Sequence, residues 1–267
     1  MAMGIDRYIN ILKLFTEEKS VWTVSEMSEA LGISASTLYR IVRELVAVEF
    51  LENTINSSYR LGAAFIEYEF LIRRTDPLIR SGRPVVYNIV SQIGFECTSQ
   101  ISRLFGYTIM CVADSRSAGY ALALKSERGW RIPPLQGATS RAILAGLTAR
   151  RRNKVLAEIA KIYGTPIKLP TADEWTGLRK RGIVVSEGEV DPKLVGLAAP
   201  VSCPEFGIDA ALTLILSIED FKRADQAELF SIIMSGAKTI ERAIAAQFYQ
   251  QDGGWRPDIN GPATHKL

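Results

Sequence analysis

The stretch Thr23-Val24-Ser25-Glu26-Met27-Ser28-Glu29-Ala30-Leu31-Gly32-Ile33-Ser34-Ala35-Ser36-Thr37-Leu38-Tyr39-Arg40-Ile41-Val42-Arg43-Glu44-Leu45 decides how the N-terminal part of this chain folds. Thr23 and Glu26 fit a capping box, in which hydroxyl and carboxylate each satisfy a backbone donor that the helix leaves free, ahead of the apolar Val24, Met27 and Leu31. Gly32 can take the left-handed conformation that ends that helix. A second helix begins with Ser34 as its N-cap. At about 100° per residue, Leu38, Ile41, Val42 and Leu45 share one face, and Ser36, Arg40 and Arg43 share the opposite one. Two guanidinium forks and a hydroxyl on the solvent side of a short helix suit base edges and phosphates in a major groove. Thr37 and Tyr39 lie beside them. An arginine pair on an exposed helix face is more often a solvated surface, so the weight rests on its ordered combination with a hairpin pattern further along the chain.

That pattern is Phe50–Thr54 and Ser58–Leu61, two short strand-like runs flanking the turn-forming Ile55-Asn56-Ser57. Helix, glycine turn, helix and hairpin in that order read as a winged helix-turn-helix, with Ser57, Ser58, Tyr59 and Arg60 as wing candidates for a sugar-phosphate backbone. A soluble turn is an equally good reading of any one of the four. Upstream, Ile5, Tyr8, Ile9, Leu12 and Phe15 repeat at helical spacing and complete a three-helix core. One feature runs against nucleic acid. Residues 1–75 hold eight Lys or Arg against ten Asp or Glu, a net of −2, so positive charge has to be focused at Arg40, Arg43 and Arg60 with the acids on other faces.

With 267 residues and 47% hydrophobic content, the chain exceeds one ordinary domain, and two are expected. A net charge of +3 predicts neither a DNA-coating nor a membrane-coating protein. No run of apolar residues is long enough to span a bilayer, and Met1–Asp6 lacks the features of a signal peptide, so a cytoplasmic protein is expected. Cys97, Cys111 and Cys203 are odd in number and widely spaced, a poor disulfide or metal framework whose default role is packing. The sole histidine, His265, lies in a Gly/Pro-containing tail, which disfavours histidine-based catalysis. Neither a metal nor a cofactor is expected.

Gly62–Thr75 reads as a linker helix whose Ala64, Ile66, Tyr68, Phe70 and Leu71 give more apolar surface than one exposed helix needs; pairing with a second copy would cover it. Asp76-Pro77 breaks it and marks the domain boundary. Beyond, the pattern is α+β: a helix around Pro84–Ile93, strands at Glu96–Arg103 and Tyr107–Ala113, helices near Thr139–Leu147, Arg151–Tyr163 and Ala172–Lys180, apolar strands at Leu197–Val201 and Ala210–Ile218, and a closing helix over Gln226–Phe248. The organisation expected is 1–75 for the winged helix and linker, 76–250 for a second domain, and a disordered tail over 251–267.

The run Leu31–Val42 resembles the recognition-helix pattern of the IclR-type bacterial transcriptional regulators. Further matches to that family are Pro133–Ala145, Arg181-Gly182 through Ser186–Glu189, Gly196–Val201 and Ala210–Thr213, in that order along the chain. The resemblance runs from about Ile5 to Phe248. It implies a DNA-binding regulator with a C-terminal GAF-like α/β effector-binding domain, working as a homodimer or homotetramer on a pseudo-palindromic double-stranded operator near catabolic genes. It also implies an effector pocket matching Gly137, Ala138, Ser186, Leu194, Gly196, Thr213 and Ile215 here. Backbone N–H groups of Gly137 and Ala138 at a helix N-terminus suit a carboxylate, and Thr213 adds a hydroxyl. The plainer alternative makes Gly137 a loop end and Thr213 a satisfied core residue.

The chain departs from the family pattern at Gln136, Ser140-Arg141, Gly196 and Ile215, which favours a roomy, apolar pocket and an effector bearing one carboxylate on an apolar or aromatic body. Two other functions stay in play: an enzyme using Glu187, Glu189 and Asp191 as acid/base or cation-binding groups, although they lack calcium-loop spacing, and a non-catalytic protein-interaction adaptor without DNA. With about three phosphates neutralised per half-site, log K should fall with log salt by roughly 0.9 per contact. That slope is shallow beside a strongly basic binder's, and anisotropy over a salt series measures it.

Overall fold

The computed structural model describes residues 4–118, 127–132, 134, 136–164 and 170–251. Two compact units divide between Thr75 and Asp76. The tail positions 252–267, with His265, and Pro133 and Leu135 of the 133–145 motif lie outside the described residues.

The N-terminal unit holds helices α1 (Gly4–Leu12), α2 (Val24–Leu31), α3 (Ala35–Ala47) and α4 (Ala64–Thr75), with strands β1 (Trp22–Thr23), β2 (Leu51–Asn53) and β3 (Ser58–Leu61). Both halves of the capping box form: the Glu26 N–H donates to Thr23 Oγ1 at 3.3 Å, and the Thr23 N–H donates to Glu26 Oε2 at 2.8 Å. Gly32 ends α2 at φ +64°. Leu38, Ile41, Val42 and Leu45 are buried with Met27, Val24, Ile11 and Leu51 in one core. Here α1 differs from expectation. Its inward residues are Ile11, Tyr8 and Leu12, with Phe15 reaching the core from beyond the helix end, whereas Ile5 and Ile9 are 67% and 42% exposed. A core position at Ile11 turns the helix so that Ile5 and Ile9 sit outside the buried stripe. Strand β1 has no counterpart among the elements expected; it pairs with β3, and β3 with β2, to give an antiparallel order β1-β3-β2.

In the C-terminal unit, Asp76 caps α5 (Pro77–Gln92) by accepting from the backbone N–H groups of Leu78 and Ile79 at 2.9 and 3.0 Å. The helix therefore starts seven residues earlier than Pro84, which sits inside it. The buried Leu78, Ile79, Val86 and Ile89 hold both sides of that proline against the sheet, and this packing outweighs the lost backbone bond. Six antiparallel strands follow: β4 (Cys97–Phe105), β5 (Thr108–Arg116), β6 (Arg131–Ile132), β7 (Val184–Glu187), β8 (Leu194–Cys203) and β9 (Ile208–Ser217), in spatial order β6-β5-β4-β9-β8-β7. Helices α6 (Gly137–Gly146), α7 (Ala149–Tyr163), α8 (Ala172–Arg181), α9 (Ile218–Arg223) and α10 (Gln226–Gln251) complete it. Strands β6 and β7 and helix α9 are additions to the expected elements, being too short to show a period, and α10 carries Gln251, the first position assigned to the tail.

Because side chains alternate across a strand, the sheet has two faces with different covers. One packs Leu197, Leu212 and Leu214 against α5 and α10; the other packs Ala198, Ala211 and Val184 beneath α6, α7 and α8.

Lys19 donates to Glu26 at 2.8 Å, and that bond, more than those from the Thr23 backbone and hydroxyl, holds the Glu26 carboxyl down to about 2. A depressed carboxyl contributes stability that is present above its ordinary value near 4.5 and lost as pH falls toward 2. Thr23→Ala should cost about 1 kcal/mol through the lost cap. In urea titrations followed by the Trp22 indole NMR resonance, its midpoint should fall below wild type's at neutral pH, and the gap should narrow in acid.

Candidate functional site

Two surfaces carry the residues singled out in the sequence, one in each unit. On the first, Ser36, Arg40 and Arg43 stand exposed along α3, Tyr39 is 54% exposed beside them, and Thr37 is half-buried. Ser34 occupies the N-cap position, but its hydroxyl bonds the Thr37 hydroxyl at 2.9 Å instead of a backbone N–H. Three of the ten acids of residues 1–75 are engaged as follows. Glu44, one turn from Arg40, accepts from the Tyr8 hydroxyl, a bond that also pushes the Tyr8 phenol above its ordinary value. Glu26 is taken by the α2 cap, and Glu69 pairs with Arg73 at 3.0 Å. Neither Arg40 nor Arg43 belongs to an ion pair among the described residues. Their guanidinium forks are open to solvent.

The wing departs from expectation in three of its four candidates. Arg60 pairs with Glu52, its partner across the β2–β3 register, so its charge is partly spent within the wing. Ser58 is buried, with its hydroxyl 3.5 Å from the Asn56 carbonyl, and Tyr59 is half-buried against the three-helix core. The alternation of a two-faced hairpin puts Tyr59 inward. Ser57 stays exposed, joined at the tip by Asn56 and by Ile55, which is 82% exposed. Asn56 and Ser57 both take left-handed backbone, φ +58° and +54°, and the Asn in a short polar run was the available signal for the tip.

On the second surface the seven pocket candidates converge on the sheet face that α6 covers. Ser186, Gly196 and Ile215 stand in one row across β7, β8 and β9. Leu194 and Thr213 lie two residues along their strands and therefore on the same face. A methyl placed on Gly196 would lie 3.4 Å from Ala138 Cβ, which sets the first turn of α6 directly above the row. Thr213 and Thr139 of α6 share a hydroxyl–hydroxyl bond at 2.9 Å, so Thr213 has a partner. Gly137 takes φ +77°, and a Cβ there would meet Val190 Cγ2 at 3.0 Å. Its N–H, the expected seat of a ligand carboxylate, instead donates to Glu189 Oε2 at 3.3 Å, and the same oxygen accepts from Arg141 at 2.7 Å.

The apolar character expected from Gly196 and Ile215 does not extend to the neighbouring strand. On β4, Thr98 pairs with Ile215 and Gln100 with Thr213, placing polar side chains on the same face. Polar residues at Thr98, Gln100 and Ser102 alternate through that strand, a signal that sequence reasoning passed over.

In the acidic loop Glu189 is engaged by Gly137 and Arg141, and Asp191 Oδ1 accepts from the Lys193 N–H at 2.8 Å. Among the described residues no three His, Cys, Asp or Glu side chains could hold a metal ion together, and no helix is long and apolar enough to cross a membrane. Burial pushes the thiols of Cys97 and Cys203 up to about 11 and of Cys111 up to about 12, so all three stay protonated and inert near neutrality.

Residues 4–54 match the IclR helix-turn-helix domain. The HTH-type transcriptional regulator XynR of Escherichia coli K12 is 25% identical over 244 residues, covering 86% of this chain and 90% of that protein. The HTH-type transcriptional regulator KipR of Bacillus subtilis 168 is 23% identical over 208 residues, covering 76% and 82%. The fold is shared with an IclR homologue from Microbacterium hydrocarbonoxydans complexed with 4-hydroxybenzoate, at TM-score 0.73 and 19% identity over 91% of this chain and 99% of that one. It is shared also with the Thermotoga maritima IclR, at TM-score 0.67 and 19% identity over 90% and 98%.

Gly137→Ala forces a side chain into left-handed backbone, so it should destabilise by about 1–2 kcal/mol and disturb the approach of Val190. Chemical denaturation of the full chain, compared with a control Ala substitution at the exposed Gly94, where the backbone is not left-handed and an added Cβ meets nothing within 4 Å, measures the first.

Proposed function

We propose that this chain, an IclR-type transcriptional regulator in its helix-turn-helix domain, its relatives and its fold, couples operator binding by α3 to a small organic acid held under α6. The observation that carries the DNA half is the open guanidinium pair. Arg40 and Arg43 are exposed and outside any ion pair among the described residues, on a unit whose net charge is −2 and whose nearest acid, Glu44, is engaged by Tyr8. Such a helix reads base edges with its forks while Ser36 and the N-terminal hydroxyls contact phosphate. Ser57 and the wing tip add a backbone contact, and Arg60 contributes less than an unpaired arginine would.

For the ligand half, the effector lies along the row Ser186–Gly196–Ile215, between Leu194, Thr213 and the first turn of α6. Its carboxylate takes the place of Glu189 at the Gly137 and Ala138 N–H groups, where the helix dipole favours an anion. Its apolar or aromatic body covers Ile215 and Leu194. The 4-hydroxybenzoate of the Microbacterium homologue is a ligand of that description. Displacing Glu189 releases Arg141 and the acidic loop, a discrete change that an effector can drive. A coupling of about 1–3 kcal/mol between effector and operator, equal in both directions, suffices.

The protein works as a homodimer or homotetramer in the cytoplasm, without catalysis, and regulates nearby catabolic genes. Support for self-association comes from α4, where Ile66, Phe70 and Ile72 are 74%, 53% and 50% exposed, more apolar surface than a solvated helix carries. A two-fold dimer selects a pseudo-palindromic operator with half-sites about one helical turn apart. An adaptor without DNA is the second reading, favoured by the −2 charge of residues 1–75.

Fluorescence anisotropy on the DNA upstream of the gene against a scrambled duplex separates the two, a preference of about a thousandfold being the expected result. No DNA retained at low salt would favour the adaptor. Arg43→Ala should weaken binding to the specific duplex by about 1–3 kcal/mol, as for a bidentate guanine contact, and weaken random DNA far less. Equal losses on both would make Arg43 a phosphate contact.

A further inference from the structure

Buried polar atoms in folded proteins almost always find a partner, because one left without has given up its water and gained nothing in return. Strand β4 holds three exceptions in alternation. Thr98, Gln100 and Ser102 are 0%, 1% and 0% exposed, and Thr98 Oγ1, Gln100 Oε1 and Ser102 Oγ have no hydrogen-bond partner among the described residues. Spacing by two puts all three on one face, the face of Leu104, which packs with Ala138 and Ala211 beneath α6. Cys97 and Ile101, at the odd positions of the strand, belong to the opposite, apolar core. Ser99 Oγ is also without a partner but stands on that opposite side.

The register joins these oxygens to the ligand face. Gln100 stands opposite Thr213, and Thr98 opposite Ile215, so the row Ser186–Gly196–Ile215 continues without a break onto Thr98. On its far side β4 meets Asp114 opposite Gln100 and Arg116 opposite Thr98. Those charges offset each other and a third: Arg116 lies 3.8 Å from Asp114 and 3.0 Å from Glu127. Arg116 Nε and Nη2 are themselves buried without a hydrogen-bond partner among the described residues, so this end of the face offers donors beside acceptors and hydroxyls, a set that suits a ligand hydroxyl, which both gives and accepts a hydrogen bond.

The geometry points to a second polar pole in the effector site, formed by Thr98, Gln100 and Ser102, that takes a hydroxyl of the ligand and makes the effector a hydroxylated carboxylic acid. The assignment rests on the proposed function, in which the carboxylate lies under the first turn of α6. That turn sits over Gly196 on β8, two strand spacings from Thr98, or roughly 10 Å. A six-membered ring or six-carbon chain with carboxylate and hydroxyl at opposite ends, hydrogen-bonded at both, spans such a gap. Gln100 Oε1 is an acceptor only and receives an O–H. The pole therefore selects hydroxy acids over their deoxy analogues.

Two measurements on the full chain test it. The first is thermal unfolding of Thr98→Val, Gln100→Leu and Ser102→Ala. Oxygens kept for a ligand contribute nothing to the free fold, so the variants should melt at or above the wild-type Tm. The second is titration calorimetry with para-hydroxyphenylacetate against phenylacetate, and omega-hydroxyhexanoate against hexanoate. Wild type should prefer the hydroxy member of at least one pair by about tenfold or more, and Gln100→Leu should erase most of that preference. A fall of several degrees in Tm for all three variants would mean that these oxygens hold the fold, and the assignment is lost. Equal affinity within both pairs, or no heat from any of the four acids, overturns it as well. DNA binding by the same wild-type preparation keeps the two failures apart: retained, it leaves the regulator standing without this pole; absent, it removes the reading on which the pole rests.

Discussion

The C-terminal unit depends on the register of β9 between β4 and β8. Those pairings run Cys97 with Leu216 through Arg103 with Ala210 on one side, and Leu194 with Ser217 through Cys203 with Ile208 on the other. A slip of one residue would exchange the two faces of the strand. Leu212, Leu214 and Leu216, all fully buried against α5 and α10, would turn toward α6, and Thr213 would enter an apolar core without the Thr139 hydroxyl. The large apolar cover on one face thus fixes which side chains the other face can offer a ligand. Polar groups under α6 are tolerated because the opposite core holds the sheet.

In the N-terminal unit the governing constraint is electrostatic. An acidic balance would ordinarily repel a polyanion, yet four of the ten acids are engaged: Glu26 in a helix cap, Glu44 of α3 by Tyr8, Glu52 by Arg60, Glu69 by Arg73. Exposed pairs of this kind add little stability. Their consequence is spatial, since they leave Arg40 and Arg43 as the open charges of α3. The same logic weakens Arg60, whose pairing is a result of strand register and could not be read from composition.

Both units keep their anion-attracting positions partly occupied by their own carboxylates. Glu52 sits on the wing arginine, and Glu189 sits on the Gly137 N–H and Arg141. On the function proposed above, a phosphate or ligand carboxylate would exchange one anion for another, so binding would depend on geometry and on the rest of the ligand more than on charge alone. That arrangement disfavours adventitious anions, which bring no further contacts to tip the exchange.

Local chemistry made much of the molecule legible in advance. The Thr23–Glu26 box, the Gly32 turn and the Leu38–Ile41–Val42–Leu45 stripe each depend on neighbours within a turn or two, and each formed where the sequence places it. The long strands β8 and β9 and the helices of the second unit announced themselves by apolar runs and period. Errors gathered where distant residues decide. Pro84 lies inside α5 because the sheet holds the helix on both sides of it. Ile5 and Ile9 are exposed because Ile11 faces the core. Tyr59 turns inward because one face of the wing's hairpin packs on the three helices. Sequence by itself determined the second helix of the helix-turn-helix and the identity of the residues on each strand. Only the tertiary structure decided which strands are neighbours, and hence that Thr98 and Gln100 extend the face under α6, because cross-strand register joins residues more than a hundred positions apart, and that Glu189 meets Gly137, a loop-to-helix contact 52 positions apart, by hydrogen bonds that no local pattern records.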